Sequence, residues 1–437
     1  MIRKAKSLPE IMNMFHPEAL TAEQMAFYQP TAAARRGDEY EYHEKLFSQI
    51  RYSDKNLHLA VVGHVGCGKS TELRMLAQKL ENDGTPSITI KATADLSMND
   101  FTYIDISMLI VKHLVDYAEN KKLEVSKKAI KAFTMAVSTK TTEEYWESGA
   151  KLQIEAEAEA SVTIPLLARF MTRVAASLKM GSGIKEEVRR EIRPQMPNII
   201  EAVNALIDNL NGLVPNPQKG NNIVIIIDGL EKCHQECVRK LFTDDVSSLT
   251  SINTHLVIAC PISLYRSEDA TSLSANFESI DVMPMIKTHN NDKKRTRNKK
   301  GVALIKELIL KRVDESFFEK GVIEKIITMT GGHLRDTFFL IKDSAIDSIL
   351  RNRTTIDMKA VNHTLNKYAA DRFLMVHNDY YGKVRAIYEG DHRSQNDSKT
   401  SALLRVSAVL EYNGERWVDL HPLVRYHIDK NPGVLDD

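Results

Sequence analysis

The stretch VVGHVGCGKSTEL, residues 61–73, decides how this chain folds. From residue 63 to residue 70 it carries the pattern GxxxxGKS, in which two glycines precede a lysine and a hydroxyl residue. The apolar run at 57–62 predicts a strand before the pattern, and leucines at helical spacing predict a helix after it. A phosphate-binding loop requires this strand–turn–helix context. The sequence therefore predicts a nucleotide-binding α/β domain, and a glycine-rich turn that arose by chance is the alternative.

The loop residues suit phosphate chemistry. Glycines let consecutive backbone N–H groups point at phosphate oxygens, and the following helix adds the positive end of its dipole. Lys69 would supply a mobile positive charge to the phosphates, and the hydroxyl of Ser70 would ligate Mg²⁺. The residues expected to bind the phosphates are Gly63, His64, Val65, Gly66, Cys67, Gly68, Lys69, Ser70 and Thr71.

A second strand supplies carboxylates to the same site. The run NNIVIIIDGLEKC at 221–233 is rich in β-branched residues, as is typical of a strand buried on both faces of a parallel sheet. Asp228 falls at its carboxyl end, where open α/β sheets bind ligands, and is expected to hold Mg²⁺ opposite Ser70, directly or through water. Glu231 could polarise the attacking water, but the turn at Gly229 decides where it points.

Three further β-rich runs, at 87–93, 254–264 and 278–286, complete a predicted parallel sheet. Two polar residues mark the end of the second of these runs, Ser263 within it and Arg266 just beyond it. Ser263 could contact the γ-phosphate or the attacking water, and Arg266 could reach the phosphate of a neighbouring subunit. For both, a solvated cap at the end of a strand is the competing interpretation.

Composition narrows the function classes. The chain has 437 residues, enough for two or three domains. Its net charge is +1, with 27% charged residues, so its overall charge does not favour binding to nucleic acid or to a membrane surface. Its four cysteines are too few for a disulfide framework and favour a reducing compartment. The cluster Cys233-His234-x2-Cys237 lacks a second pair of zinc ligands, which favours ordinary core or surface cysteines.

Nothing in the sequence predicts a membrane association. Polar residues interrupt every apolar run in the first 20 residues, so no secretory signal is expected. The longest apolar stretch, 164–178, is too short to span a bilayer and contains Arg169 and Arg173. We expect a cytoplasmic protein with no membrane partner.

Three motifs in order, GHVGCGKSTEL, IIIDGLEK and TGGHLRD at 330–336, resemble bacterial ATPases of the AAA+ and STAND group, near its origin-recognition-like branch. The resemblance covers roughly residues 25–345. It implies ATP with Mg²⁺ as ligands, a homo-oligomer, and a role in bacterial defence against phage together with a separately encoded effector. It also implies that 331–335 begins a helix of a lid subdomain and that Arg335 senses the γ-phosphate. Ordinary AAA+ enzymes have adjacent Asp and Glu in the second motif, whereas here Glu231 is the third residue after Asp228, which puts rapid hydrolysis in doubt.

The predicted start of a helix next to Arg335 is consistent with a phosphate contact by this residue. A glycine pair at 331–332 ends one predicted helix, and a new helix opens at Leu334. A cation in the first turn of a helix is disfavoured by the dipole unless an anion faces it. A phosphate would be such an anion, and a surface arginine is the alternative.

The predicted fold class is α/β, a P-loop NTPase parallel sheet with a helical insertion, a helical lid and a small C-terminal winged-helix-like domain. We assign 1–50 to an N-terminal segment and 51–288 to the core, which includes a mainly helical insertion at about 96–215. The lid then occupies 289–370 and the C-terminal domain 371–437.

Three further segments each allow two interpretations. The alternating segment at 152–164 could be a strand that pairs with another subunit, or could pack on its own chain as a strand or a polar helix. Helical spacing continues over 185–210, and its Arg189, Arg190 and Arg193 could contact a neighbour's phosphate or form a solvated face. The basic run KKRTRNKK at 293–300 could grip a nucleic-acid backbone, with a flexible solvated loop favoured. 

In the C-terminal domain, a helix is expected to lead into a hairpin with its turn at Asn413-Gly414. We expect Tyr412, Trp417 and His421 to form a small core there rather than a binding face.

The sequence favours an oligomeric switch that binds ATP and Mg²⁺ and hydrolyses ATP slowly, for which nucleic acid is possible but not required. The first alternative is a DNA-bound loader or regulator of transposition or replication. A scaffold that binds nucleotide without hydrolysing it is the second. A nucleoside or small-molecule kinase shares the phosphate loop, but the Asp228 strand, the glycine-pair lid and the large insertion argue against it.

Overall fold

A computed structural model describes residues 3–125, 130, 164–179, 183–213, 222–393, 395–412 and 417–436 of the chain. The predicted alternating segment, up to residue 163, and the predicted turn at Asn413-Gly414 lie outside these residues.

A five-stranded parallel sheet forms the centre of the molecule. The strands are β1 (His58–Gly63), β2 (Ser87–Lys91), β3 (Val224–Asp228), β4 (His255–Pro261) and β5 (Ser279–Met283). They occur in the order β2-β3-β4-β1-β5, and every neighbouring pair is parallel. This arrangement confirms the α/β fold class and the five strands predicted for this sheet, because the β-branched and apolar runs of the sequence are the segments that pair.

Helices cover both faces of the sheet. In β3, Val224 and Ile226 pack into the apolar cluster that contains the helices Tyr42–Arg51 and Lys69–Asn82. Ile225 and Ile227 pack into the larger cluster on the opposite face. Both faces of the strand are therefore buried, which explains its unbroken β-branched sequence.

The α-helices are Leu8–Met14, Ala32–Arg35, Tyr42–Arg51, Lys69–Asn82, Ala92–Asp95, Tyr103–Asn120, Ile164–Lys179, Gly183–Ile192, Met196–Leu213, Gln235–Thr243, Val246–Thr250, Ile262–Tyr265, Ala270–Asn276, Lys299–Leu310, Val322–Thr330, Leu334–Leu350, Met358–Leu374, Tyr381–Glu389, Ser398–Arg405 and Pro422–Lys430. Short 3-10 helices are Ala22–Phe27, Arg193–Gln195, Leu230–Lys232, Glu315–Phe317 and Asn378–Tyr380. Within the described ranges, no helix is long and apolar enough to cross a membrane.

The described part of the insertion between β2 and β3 is helical, with two corrections to the sequence interpretation. The single helix expected over 185–210 is interrupted by the 3-10 turn Arg193–Gln195, because Pro194 lacks the N–H that a continuous helix needs. Arg189 is neither solvated nor free for a neighbouring subunit. Its side chain is 4% exposed and bonds the carboxylates of Asp105, at 2.5 Å, and Asp100, at 2.9 Å.

A second apolar core belongs to the lid. It combines the helices Lys299–Leu310, Val322–Thr330, Leu334–Leu350 and Met358–Leu374 with the N-terminal helix Leu8–Met14. The N-terminal segment thus packs against the lid, although the two are far apart in sequence.

The C-terminal domain has the predicted helix–hairpin–helix order. Its antiparallel strands β6 (Val409–Tyr412) and β7 (Trp417–Leu420) follow the helix Ser398–Arg405 and precede the helix Pro422–Lys430. Tyr412 and His421 are fully buried and Trp417 is 7% exposed, so none of the three forms an open binding face. They do not form a separate small core of this domain, because Tyr412 and Trp417 pack with Met283 and Met285 beside β5, and His421 lies 3.0 Å from Asp336 of the lid.

The basic run at 293–300 is not a free loop. Arg295 lies 2.6 Å from the carboxylate of Asp419, and Asn298 caps a helix that begins at Lys299. A buried carboxylate of the C-terminal domain thus holds Arg295 in the middle of the run. The other cations are exposed, which agrees with the favoured solvated interpretation; they are Lys293, Lys294, Arg297, Lys299 and Lys300.

Candidate functional site

The phosphate loop joins β1 to the helix Lys69–Asn82, as the motif requires. Gly66 and Gly68 have φ angles of +85° and +112°, a region that favours glycine. A Cβ atom at Gly66 would also lie 2.6 Å from the Cβ of Arg335. Both backbone conformation and space therefore require glycine at position 66.

Side chains from both motifs meet at the carboxyl edge of the sheet. The hydroxyl of Ser70 donates to Asp228 Oδ1 at 2.9 Å, so the two expected magnesium ligands are adjacent. Burial, and then the nearby carboxylate of Glu231, raises the pKa of Asp228. A hydroxyl and a carboxylate are hard oxygen donors, which fit Mg²⁺. Lys69 is 2% exposed, and its Nζ donates to the carbonyls of Gly63 and His64, both at 2.9 Å.

Glu231 points inward rather than into solvent. Gly229, with φ +93°, starts the 3-10 turn Leu230–Lys232 that carries it. Its side chain is 2% exposed, and Oε1 lies 3.8 Å from Lys69 Nζ. Its Oε2 is buried, and no hydrogen-bond partner for it occurs in the part of the chain that the structure describes. A buried acceptor without a partner beside the phosphate loop suits a group that orients water.

Arg335 lies over the phosphate loop, in the first turn of the helix Leu334–Leu350. Its Nε is buried and has no hydrogen-bond partner among the described residues. A guanidinium donor left in this state, next to Gly66, fits a phosphate oxygen.

One cavity of about 550 Å³ collects most of the predicted residues. The predicted residues that line it are Gly66, Cys67, Gly68, Lys69, Ser70, Thr71, Asp228, Glu231 and Arg335. Gly63, His64 and Val65 instead line a smaller cavity of about 70 Å³ on the other side of the loop, together with Glu231 and Ser263.

Sequence reasoning missed the N-terminal wall of the large cavity. Arg35 is fully buried; its Nη2 donates to the carbonyl of Cys67 at 2.6 Å, and its Nη1 donates to the carbonyl of Pro284. Tyr28 donates its hydroxyl to Glu72, in the first turn of the phosphate-loop helix, at 2.9 Å. No motif marks these residues, because their role depends on a fold that returns residues 17–35 to the loop.

The phosphate loop also contacts the C-terminal domain. The imidazole of His64 is buried, and its Nε2 accepts a hydrogen bond from the backbone N–H of Glu411 in β6 at 3.0 Å. The carboxylate of Glu411 in turn pairs with Arg266 through two bonds of 2.6 and 2.7 Å. This pair corrects the expectation that Arg266 reaches a neighbouring subunit's phosphate. Ser263 is also buried, and its carbonyl accepts from the hydroxyl of Ser401 at 2.8 Å.

The glycine-pair turn of the lid touches the same domain. Tyr412 donates its hydroxyl to the carbonyl of Gly331 at 2.8 Å. Asp336, in the first turn of the following helix, lies 3.0 Å from His421 Nε2 and 3.3 Å from His333 Nδ1. Burial opposes the charge of Asp336, but His333, His421 and Arg372 together hold its pKa well below the ordinary value. The P-loop, the lid turn and the C-terminal hairpin thus form one connected site.

Residues 41–258 match a protein-family profile, that of the KAP family P-loop domain. This stretch is therefore a P-loop NTPase domain. No curated protein matches the chain.

The chain is similar in structure to the ORC2 protein of Aeropyrum pernix, with 11% identity, a TM-score of 0.39 and 96% of each chain covered. It is also similar to Cdc6p of Pyrobaculum aerophilum, with 9% identity, a TM-score of 0.39 and coverage of 96% of this chain and 97% of that one. A third similar structure is the RuvB Holliday junction branch migration motor of Thermotoga maritima, with 11% identity, a TM-score of 0.36 and coverage of 93% and 99%.

Proposed function

We propose that this chain is a molecular switch that binds ATP with Mg²⁺, hydrolyses ATP slowly, and passes the state of its nucleotide site to its C-terminal domain. One observation carries the proposal: His64 of the phosphate loop accepts a hydrogen bond directly from Glu411 of the C-terminal hairpin. A loop that binds phosphate and also bonds a second domain can couple ligand binding to the position of that domain.

Each residue of the site has its own role in binding the nucleotide, the metal or the attacking water. Lys69 exchanges its bonds to two loop carbonyls for bonds to phosphate oxygens, and Arg335 adds a second positive charge from the lid. Ser70 and Asp228 hold the metal. When bound, Mg²⁺ neutralises charge that develops on the phosphates. Glu231 orients the attacking water through its unpartnered Oε2.

We attribute slow hydrolysis to the placement of Glu231, which is the third residue after Asp228 rather than the next one. Its Oε1 lies 3.8 Å from the ammonium of Lys69, and both side chains are 2% exposed. Lys69 must therefore turn away from Glu231 toward phosphate before the site is arranged for hydrolysis.

On the strength of the motif resemblance, we propose a homo-oligomer that works in bacterial antiphage defence with a separately encoded effector. The insertion between β2 and β3, whose described part is helical, is longer than one crossover needs and offers surface for such contacts.

The test is the mass of the purified chain in solution with and without ATP and Mg²⁺, with phosphate release followed in the same samples. Lys69→Ala is the control for nucleotide-dependent effects. Growth of a closed oligomer on ATP with slow, DNA-independent hydrolysis supports the switch. A monomer whose hydrolysis rises only with duplex DNA contradicts it and favours a DNA-bound loader.

A further inference from the structure

The large cavity extends well beyond the phosphate loop. Its far wall is built by the N-terminal segment and the lid, and its volume of about 550 Å³ suits a whole nucleotide rather than phosphates alone. Residues of that wall include Pro17, Leu20, Phe27, Leu308, Arg312 and Phe338. These apolar side chains lie beside polar ones from the same two segments, among them Thr21, Gln29 and Arg312, so the wall offers both apolar surface and hydrogen-bonding groups to a nucleoside.

Arg312 is an unusual member of this wall. It is 3% exposed, and its guanidinium carbon lies 5.0 Å from the ring centres of both Phe27 and Phe338. Its Nη1 donates to the carbonyl of Leu308 at 2.8 Å, and no carboxylate within the described ranges is paired with it. Burial lowers its pKa to about 10. Buried cations are normally paired, so an unpaired one calls for an acceptor from elsewhere.

The position of Arg312 identifies the part of the nucleotide that it faces. Arg335 lies at Gly66, and Phe338 follows Arg335 by three residues on the same face of the helix. Three residues advance a helix by roughly 5 Å along its axis. Arg312, whose guanidinium carbon lies 5.0 Å from the Phe338 ring centre, is therefore in the same cavity as the phosphate loop but displaced from Arg335 and Gly66. With the phosphates on the loop, the nucleoside is the part of a nucleotide left to contact Arg312.

We propose that Arg312 determines base specificity by donating an N–H to N7 of a bound purine. The inference rests on the proposed nucleotide binding and adds the residue that recognises the base. A guanidinium has only donors, and N7 is an acceptor on both adenine and guanine. Pyrimidines lack N7, so CTP and UTP bind more weakly than ATP and GTP. Contact with Phe27 and Phe338 restricts the orientation of the guanidinium group. This restriction favours a hydrogen bond of fixed direction to N7 over a non-directional ionic contact.

The experiment measures dissociation constants for ATP and for 7-deaza-ATP, in which a C–H replaces N7. Wild-type protein is expected to bind 7-deaza-ATP roughly tenfold more weakly, the effect of losing one charge-assisted hydrogen bond. In Arg312→Met, which keeps an unbranched side chain between the two rings, the two ligands are expected to bind equally. Lys320→Met removes an exposed cation of the same lid and is expected to keep the wild-type ratio.

The outcomes separate this inference from the proposed function. Equal binding of the two ligands by the wild-type protein overturns the role of Arg312 and leaves ATP binding intact. Absence of ATP binding overturns both. If Arg312→Met fails to fold, Arg312→Lys, which keeps a cation but loses the planar guanidinium, is the second variant: a reduced preference for ATP over 7-deaza-ATP supports the role of Arg312, and the full wild-type preference overturns it.

Discussion

The backbone N–H of Glu411 donates to His64 Nε2 at 3.0 Å, a bond between the phosphate loop and a strand 347 residues later. Both residues are buried, with exposures of 0% and 1%. The bond fixes the C-terminal hairpin to the loop that binds phosphate. It is a direct route by which a nucleotide could act on the C-terminal domain.

Replacing His64 with leucine removes the acceptor of this bond and leaves the Glu411 N–H buried without a partner. A buried donor in that state costs about 1–3 kcal/mol, so the melting temperature of His64→Leu should fall. His64→Gln can restore an acceptor and should lose less stability. Thermal unfolding of both variants checks the bond, and equal melting temperatures for His64→Leu and wild type would contradict it.

The Arg266–Glu411 pair predicts strong coupling between two domains. Breaking a buried ion pair by removing one partner costs about 3–5 kcal/mol, so Arg266→Met and Glu411→Met should each be markedly destabilised. The double variant should be less destabilised than the sum of the two, because neither charge is then left alone. A double-mutant cycle on unfolding midpoints measures this, and additive effects would exclude the pairing.

Glu231→Gln should retain ATP affinity while phosphate release slows by about 10²-fold or more, the usual contribution of a general base. Steady-state phosphate release with a parallel binding measurement is the readout. Glu236→Gln is the matched control, because Glu236 lies on the next helix, 48% exposed, and pairs with Arg239. Unchanged hydrolysis in Glu231→Gln would remove Glu231 from the mechanism.

Gly66→Ala should abolish nucleotide binding, because its Cβ would lie 2.6 Å from Arg335 Cβ in addition to straining a φ of +85°. Gly84→Ala has nearly the same backbone strain, with φ +82°, but no atom within 4 Å of the added Cβ. Isothermal titration calorimetry of ATP binding to both variants separates the effect of the steric clash with Arg335 from the effect of backbone strain. Equal ATP affinity in the two variants would show that the contact between lid and loop is not needed.

Stability should fall as the pH decreases below neutrality. Burial lowers the pKa of His421 from 6.5 to about 4, and burial also lowers the pKa of His64. Between pH 6.5 and about 4 the unfolded chain therefore binds protons that the folded chain does not, and the free energy of unfolding decreases with decreasing pH.

Melting temperatures from pH 7.5 to 5 should show this slope, and His421→Gln should reduce it. His377→Gln is the control, because the His377 side chain is 70% exposed. Parallel slopes for wild type and His421→Gln would contradict a neutral buried His421.

The sheet and the phosphate-loop chemistry were predictable because they depend on local patterns. The GxxxxGKS loop and the β-branched run ending at Asp228 each encode their own conformation, and parallel strands place their carboxyl ends on one edge. The adjacency of Ser70 and Asp228 follows from those two facts.

The rest depends on contacts between distant segments. Arg35, Arg312 and Glu411 carry no motif, and each gains its role only when the N-terminal segment, the lid or the C-terminal hairpin packs against the loop. Arg189 and Arg266 were misjudged for the same reason: their carboxylate partners lie 84 and 145 residues away. Charge patterns along the sequence do not reveal such pairs.

The most direct test of the central claim is hydrogen exchange at the backbone amides of 409–412, with and without saturating ATP and Mg²⁺. The account predicts that nucleotide changes the protection of β6 in the wild-type protein, that Lys69→Ala shows no change, and that His64→Leu binds ATP with a reduced response. Unchanged exchange of β6 in wild-type protein that has bound ATP would contradict transmission from the nucleotide site to the C-terminal domain.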